Sequence, residues 1–212
     1  MPKKQLGKRI FSYDEALNTF PLVRDLTSAA VRQIEVITGG MFSGKSEELV
    51  RRLRRALIAK QRVQVFKPVV DHRHARDKVV TRDLRELAAC TVTSAAELES
   101  KLDHDVQVVG VDEAQFFDAD LVDLVTRLAD RGIRVVVAGL DQDYLRRPFG
   151  PMPGILALAE EVDKMHAVCV QCGAPAHYSQ RFAGGAAQVQ VGDSEAYEPR
   201  CRRCYEAFSP HS

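Results

Sequence analysis

The chain has 212 residues, 45% of them hydrophobic and 28% charged, and 30 basic against 29 acidic side chains leave a formal net charge of +1. That balance argues against a broad nucleic-acid-binding face and confines any anion site to a local cluster. The sequence contains neither the roughly 20 apolar residues needed to cross a bilayer nor an apolar block behind the basic N-terminus, so we expect a cytosolic protein with one large domain and a small appendage.

Residues 1–32 read as a helical extension. "SYDE" offers a capping box, with Ser12 as N-cap and Glu15 three residues on, Pro21 interrupts the pattern, and "LVRDLTSAAVRQ" resumes it. From Gln33 the pattern alternates strand, loop and helix. "QIEVIT" (33–38) is a strand, and "SEELVRRLRRALIAK" (46–60) is a helix with Leu49, Leu53, Ala56 and Leu57 on one face and a solvated basic run of Arg51, Arg52, Arg54 and Arg55. "RVQVF" (62–66) is a second strand, and "SAAELESKL" (94–102) a helix capped by Ser94 with Glu97 behind it. "VQVVGV" (106–111) is a buried strand, "DADLVDLVTRLADRG" (118–132) a helix closed by Gly132, and "IRVVVAG" (133–139) a further strand. A Pro/Gly-rich loop, a short helix "ILALAEE" (155–161) and "VDKMHAV" (162–168) follow. Such alternation predicts an α/β fold built on a mainly parallel sheet covered on both faces. The expected divisions are the extension 1–32, an α/β domain 33–165 and a small cysteine-bearing domain 166–212.

"GGMFSGKS" fits the phosphate-loop pattern G-x-x-x-x-G-K-[ST], with a strand before it and a helix after it. Backbone N–H groups of Gly39, Gly40, Met41, Phe42, Ser43 and Gly44 can turn inward on an anion, and the start of the following helix adds partial positive charge. Lys45 reaches the β- and γ-phosphates, and the Ser46 hydroxyl ligates Mg²⁺, so a nucleoside triphosphate such as ATP is the expected ligand. The strand 106–111 delivers Asp112 and Glu113 at its C-terminal end, where open α/β sheets bind ligands. Asp112 is placed to hold Mg²⁺ through water. Glu113 is a candidate general base acting either on water, as in an NTPase, or on a substrate hydroxyl, as in a kinase.

Four of the five cysteines form two C-x-x-C pairs, Cys169/Cys172 and Cys201/Cys204. In a reducing compartment that spacing reads as a closed tetrahedral site for structural Zn²⁺, with a redox dithiol as the alternative. Cys90 reads as an inert core residue.

Taken in order, "GGMFSGKSEEL", "DHR", "VDEAQFF", "GLDQDYLRRPFG", the two C-x-x-C pairs and "VGDSEAY" resemble the cytosolic-type (type II) thymidine kinases over about residues 33–205. The resemblance implies a P-loop NTPase-like α/β domain followed by a small zinc-binding domain whose lasso loop covers the nucleoside. It also implies that Glu113 deprotonates the 5′-hydroxyl of deoxythymidine for attack on the γ-phosphoryl group of ATP. Arg73 would add positive charge there, Asp71 would orient Arg73 or the metal's water, and Asp83 falls where the family often has a basic–acidic pair. Gln115, Phe116, Tyr144 and Phe149 correspond to the apolar pocket wall, with Tyr144 where phenylalanine is commoner. In the lasso, Gln188, Val189, Gln190, Val191 and Gly192 would offer main-chain groups to the thymine edge and Tyr197 would close over the sugar and base. Asp193 replaces the second glycine of a usual pair. Deoxyuridine is expected to be accepted less well than thymidine, and the resemblance implies a tetramer inhibited by deoxythymidine triphosphate. Two other readings compete: a P-loop ATPase coupled to a partner, and a zinc-ribbon nucleic-acid binder, which the near-neutral charge disfavours.

Overall fold

The computed structural model of the protein describes residues 33–69, 89–182 and 196–206. The expected extension 1–32, Asp71, Arg73, Asp83 and the lasso residues Gln188, Val189, Gln190, Val191, Gly192 and Asp193 lie outside the described residues.

The strands of the α/β region are β1 (Ile34–Gly39), β2 (Val63–Pro68), β3 (Cys90–Val92), β4 (Val108–Val111), β5 (Arg134–Gly139) and β6 (Glu161–Met165). They form one sheet in the order β3-β2-β4-β5-β1-β6, with every pairing parallel. Short apolar runs too brief to form helices become the buried central strands β1, β4 and β5, while β3 and the polar, exposed β6 lie at the sheet's edges. Side-chain alternation divides the core in two. On one face Ile37, Val65, Val108, Val136 and Ala138 pack under Leu49, Leu53 and Ala56 of helix α1 (Lys45–Ile58). On the other, Val36, Val109, Val111, Val135 and Val137 meet the helices α2 (Ala95–Ser100), α3 (Leu121–Asp130) and α4 (Met152–Leu158). Each fully buried leucine there stabilises the fold by about 1.5–3 kcal/mol. Gly110 lets α1 approach closely, since a Cβ on it would lie 2.6 Å from a Leu53 methyl.

Several boundaries differ from the sequence expectation. Helix α4 starts three residues early, at Met152, because Pro151 and Pro153 fall at its N-terminus, where a missing N–H goes unfelt. Helix α3 starts at Leu121 rather than 118, and Asp118 instead accepts a hydrogen bond from the Ala95 N–H at 3.0 Å, at the start of α2. Ser94 caps α2 as expected, its hydroxyl accepting from the Glu97 N–H at 3.1 Å. The three-residue β3 was not expected, and Cys90 is half-buried within it. Leu57 is 44% exposed, so it does not share the buried face of α1.

The basic run also needs correcting. Arg51 and Arg55 are exposed, but Arg52 is only 6% exposed. Its guanidinium donates to Glu35 at 2.7 Å, Glu48 at 2.9 Å and Glu161 at 2.9 Å, and also pairs with Asp163. Glu35, 1% exposed on β1, is held by Arg134 as well, at 2.5 and 2.9 Å. Burial acts to raise the Glu35 pKa, but hydrogen bonds from Arg134, Gln33 and Arg52 outweigh it and lower it from its ordinary value.

Beyond β6 the chain forms two small antiparallel ribbons, β7 (Ala167–Val168) with β8 (Pro175–Ala176) and β9 (Tyr178–Arg181) with β10 (Tyr197–Arg200). Their apolar cluster is small: Ala167, Cys169, Ala176 and Cys201 are its buried members.

Removing one partner of a buried ion pair costs about 3–5 kcal/mol, so Arg52→Ala should lower the unfolding free energy by that order. Arg51→Ala, which breaks an exposed pair with Glu48, should change it by less than about 1 kcal/mol. Urea denaturation of both variants checks the contrast. Because the folded pKa of Glu35 is lowered, its stabilisation is present above the unfolded carboxylate pKa and is lost as pH falls through the folded value. The Arg52→Ala deficit should shrink in that same acid window.

Candidate active site

The phosphate loop sits between β1 and α1, at the carboxyl edge of the sheet. Gly39 has φ +138° and no room for a side chain, since a Cβ would lie 2.2 Å from the Met165 carbonyl oxygen. Gly44, at φ +84°, is the N-cap of α1 and turns the chain into the helix. The Ser43 hydroxyl donates to the Gly40 carbonyl at 2.8 Å, and Lys45 Nζ donates to the same oxygen at 2.7 Å. Met41 and the exposed Phe42 complete the loop. Burial lowers the Lys45 pKa, and the negative charges of Glu113, Asp112 and Asp141 work against that shift.

Strand β4 ends one strand away from β1, with β5 between them. Its tip carries Asp112, whose N–H donates to the Phe66 carbonyl at 2.9 Å. The Ser46 hydroxyl reaches both Asp112 oxygens, at 3.1 and 3.2 Å. Burial first, then the neighbouring Glu113 charge, pushes Asp112 up to about 6. Two oxygens bound side by side at about 2.1 Å to magnesium stand roughly 3 Å apart, so this oxygen pair fits that ion, directly or through water.

Glu113 takes a left-handed conformation, φ 53° and ψ 39°, uncommon for a residue with a side chain. It is exposed at the strand edge, and its Oε2 accepts from Gln115 Nε2 at 2.6 Å. Gln115, on the 3₁₀ turn Ala114–Phe116, is 2% exposed and also accepts from the Leu140 N–H at 2.9 Å. The Phe116 and Phe149 rings meet edge to face at 5.5 Å. Tyr144 is buried, and the Arg181 guanidinium lies 4.7 Å from its ring centre and 5.9 Å from that of Tyr197. The structure thus brings together the loop, the two acids, Phe116 with Phe149, and Tyr144 with Tyr197.

Sequence reasoning missed three contributors. Asp141 pairs with Lys164 at 2.6 Å beside the phosphate loop. The Ser179 hydroxyl accepts the Met41 N–H at 3.0 Å, tying β9 to the loop. Arg181, 1% exposed, joins the two tyrosines. Ser179 and Arg181 lie in "YSQR", a buried strand of polar residues that carries no hydrophobic alternation to mark it.

The Cys169, Cys172, Cys201 and Cys204 sulfur atoms lie within 4.8 Å of one another, with Cys172 and Cys201 at 3.5 Å. A tetrahedron of sulfurs about 2.3 Å from zinc has edges of roughly 3.8 Å, so the group fits that ion. Burial acts to raise the Cys169 pKa, but backbone hydrogen bonds from Cys201, Gln171 and Cys172 outweigh it and bring it down to about 6. A side-chain hydrogen bond with Cys172, with burial, pushes Cys204 up to about 12. Four sulfurs gathered this closely form a donor set suited to a cation that binds them as thiolates. The adjacent Tyr205 hydroxyl donates to the Tyr144 carbonyl at 2.6 Å, so the cysteine group is one contact from Tyr144.

A phosphate loop and an acidic strand tip at one edge of a parallel sheet define a P-loop enzyme that handles nucleoside triphosphates. The chain belongs to the thymidine kinase family, whose model matches residues 32–205. Similar curated proteins named thymidine kinase include one from Rhodothermus sp. (strain ITI 518), 53% identical over 86% of this chain and 85% of its own length. One from Porphyromonas gingivalis (strain ATCC 33277) is 53% identical over 83% and 86%, and one from Bdellovibrio bacteriovorus is 51% identical over 82% and 85%. The protein is therefore a kinase, and the partner-coupled ATPase is not favoured.

Cys201→Ser should abolish stoichiometric zinc binding and lower the melting temperature, because the lobe it pins has so small an apolar cluster. Through Ser179 and Met41 the variant should also bind ATP more weakly. Metal analysis with calorimetric ATP titration tests both, and a zinc-free variant with unchanged ATP affinity would separate the lobe from the loop.

Proposed function

We propose that the protein transfers the γ-phosphoryl group of ATP to the 5′-hydroxyl of deoxythymidine, with Glu113 as general base. The observation that carries this reading is the meeting of Lys45, the Ser46–Asp112 pair and an exposed Glu113 at neighbouring tips of one sheet. Glu113 takes the hydroxyl proton as the 5′-oxygen bonds to the γ-phosphorus, and the bond to the β,γ-bridging oxygen breaks to release ADP. Lys45 and the loop N–H groups of residues 39–46 hold the phosphates and offset their charge. Magnesium, held by Ser46 and Asp112, supplies further charge neutralisation on the phosphates. Zinc, held by Cys169, Cys172, Cys201 and Cys204, supplies a cross-link that pins both ends of the segment between β9 and β10.

Phe116, Tyr144, Phe149 and Tyr197 form the nucleoside wall in this reading. Asp71, Arg73 and the main chain of 188–192 keep the roles that the family resemblance implies. The chain divides near residue 165 into a phosphate-handling domain and a metal-pinned lobe, and acts as a cytoplasmic homotetramer. No helix among the described residues is long and apolar enough to cross a membrane.

Removing a general base costs about 10²–10⁴-fold, so Glu113→Gln should lose that much kcat while ATP binding, read by calorimetry, is preserved. Retained turnover in that variant would remove Glu113 from this role. In a panel of nucleosides with magnesium ATP, deoxyuridine should fall behind thymidine by about 1–3 kcal/mol in kcat/KM, the worth of one methyl-sized group. Deoxycytidine should fall further, because its reversed edge leaves a buried donor or acceptor unpaired. Product masses identify the outcome, and deoxycytidine turned over as fast as thymidine would overturn the edge argument.

A further inference from the structure

We infer that Gln115 is a positioning residue that aims the Glu113 carboxylate, rather than a group that contacts the nucleoside; this rests on Glu113 being the base. Both ends of the Gln115 amide are engaged. A backbone N–H can only donate, so the Leu140 N–H at 2.9 Å fixes the amide oxygen on its side. The NH₂ group must then face the other way, where it donates to Glu113 Oε2 at 2.6 Å. A carboxylate held through one oxygen leaves its other oxygen for a substrate alcohol. Glu113 is exposed and its long side chain has several rotatable bonds, so such a hold is what fixes its direction.

The surroundings are built to seat Gln115. A Cβ on Gly139 would lie 2.9 Å from Gln115 Oε1 and 2.7 Å from the Met152 sulfur. A Cβ on Gly150, at φ +52°, would lie 2.2 Å from the Gln115 carbonyl oxygen. Two glycines from separate segments therefore make room for one turn. The Thr38 hydroxyl donates to the Gly139 carbonyl at 3.0 Å, so hydrogen bonds and one covalent step run from β1, beside the phosphate loop, through Leu140 and Gln115 to Glu113. The base is thus registered against the same strand that carries the phosphate loop. At 2% exposure, Gln115 has no free polar edge to offer a base.

The test compares Gln115→Met, which keeps the volume and loses the amide, with Gln115→Glu, which keeps an acceptor for Leu140 but sets a second carboxyl against Glu113. Each is made in the full-length protein, alone and combined with Glu113→Gln, and kcat, both KM values and the melting temperature are measured. A misaimed catalytic group costs up to about 100-fold, so each single variant should lose about 10–100-fold in kcat, with KM for thymidine and ATP within about twofold. In the Glu113→Gln background, Gln115→Met should cost less than about twofold more, because residues acting as a unit are not additive. A rise in thymidine KM at constant kcat would make Gln115 a nucleoside contact and overturn the inference. So would an undiminished loss in the Glu113→Gln background. If Gln115→Met does not fold, Gln115→Glu carries the same comparison. Full activity of Gln115→Met beside an inactive Glu113→Gln removes the positioning role alone. Full activity of Glu113→Gln removes the base and, with it, this role.

Discussion

The hydrogen bond between the Ser46 hydroxyl and the Asp112 carboxylate joins two elements that the sequence holds 66 residues apart. It spans the width of β5 and brings the first turn of α1 to the tip of β4. A parallel sheet makes this possible, since all its strands end on the same side and their carboxyl ends share one edge. The phosphate loop, the Ser46–Asp112 oxygens and the Glu113 carboxylate are then neighbours without any long loop. The rest of the site is arranged around that bond: Lys45 one residue before it, Glu113 one residue after it.

The C-terminal ribbons serve the same edge from the other side. With so few buried apolar residues they have little reason to hold a shape of their own. Their order comes from the four-cysteine group and from three contacts with the sheet layer and its loops: Ser179 on Met41, Tyr205 on the Tyr144 carbonyl, and Arg181 against Tyr144. Each contact lands on a residue of the phosphate loop or the aromatic wall. The lobe that carries the four cysteines is thereby tied to the phosphate loop and to Tyr144.

Much of this was legible in the sequence where chemistry is local. Glycine spacing betrays the phosphate loop because that spacing allows the turn, and C-x-x-C pairs declare within four residues the thiol cluster they join. The central strands were visible because parallel strands buried on both faces are unbroken apolar runs, whereas the three-residue β3 is too short to show such a run. Groups whose partners arrive from elsewhere were not visible. Arg52 reads as one of four exposed arginines until Glu35, Glu161 and Asp163, from β1 and β6, close around it. Asp141, Ser179 and Arg181 likewise take their meaning from distant residues. The early start of α4 was hidden by prolines, which mark loops in general and helix beginnings in particular.

The backbone at Glu113 has a wider implication. A left-handed residue with a long side chain costs about 1 kcal/mol or more relative to glycine, which takes that shape freely. The position assigned the proton transfer is therefore one where thermodynamics and chemistry pull in opposite directions. Selection for robustness alone would drift this turn toward glycine and leave a sturdy nucleotide-binding shell without the proposed base. In the proposed role, an acid in so uncomfortable a posture is where the fold gives way to the reaction.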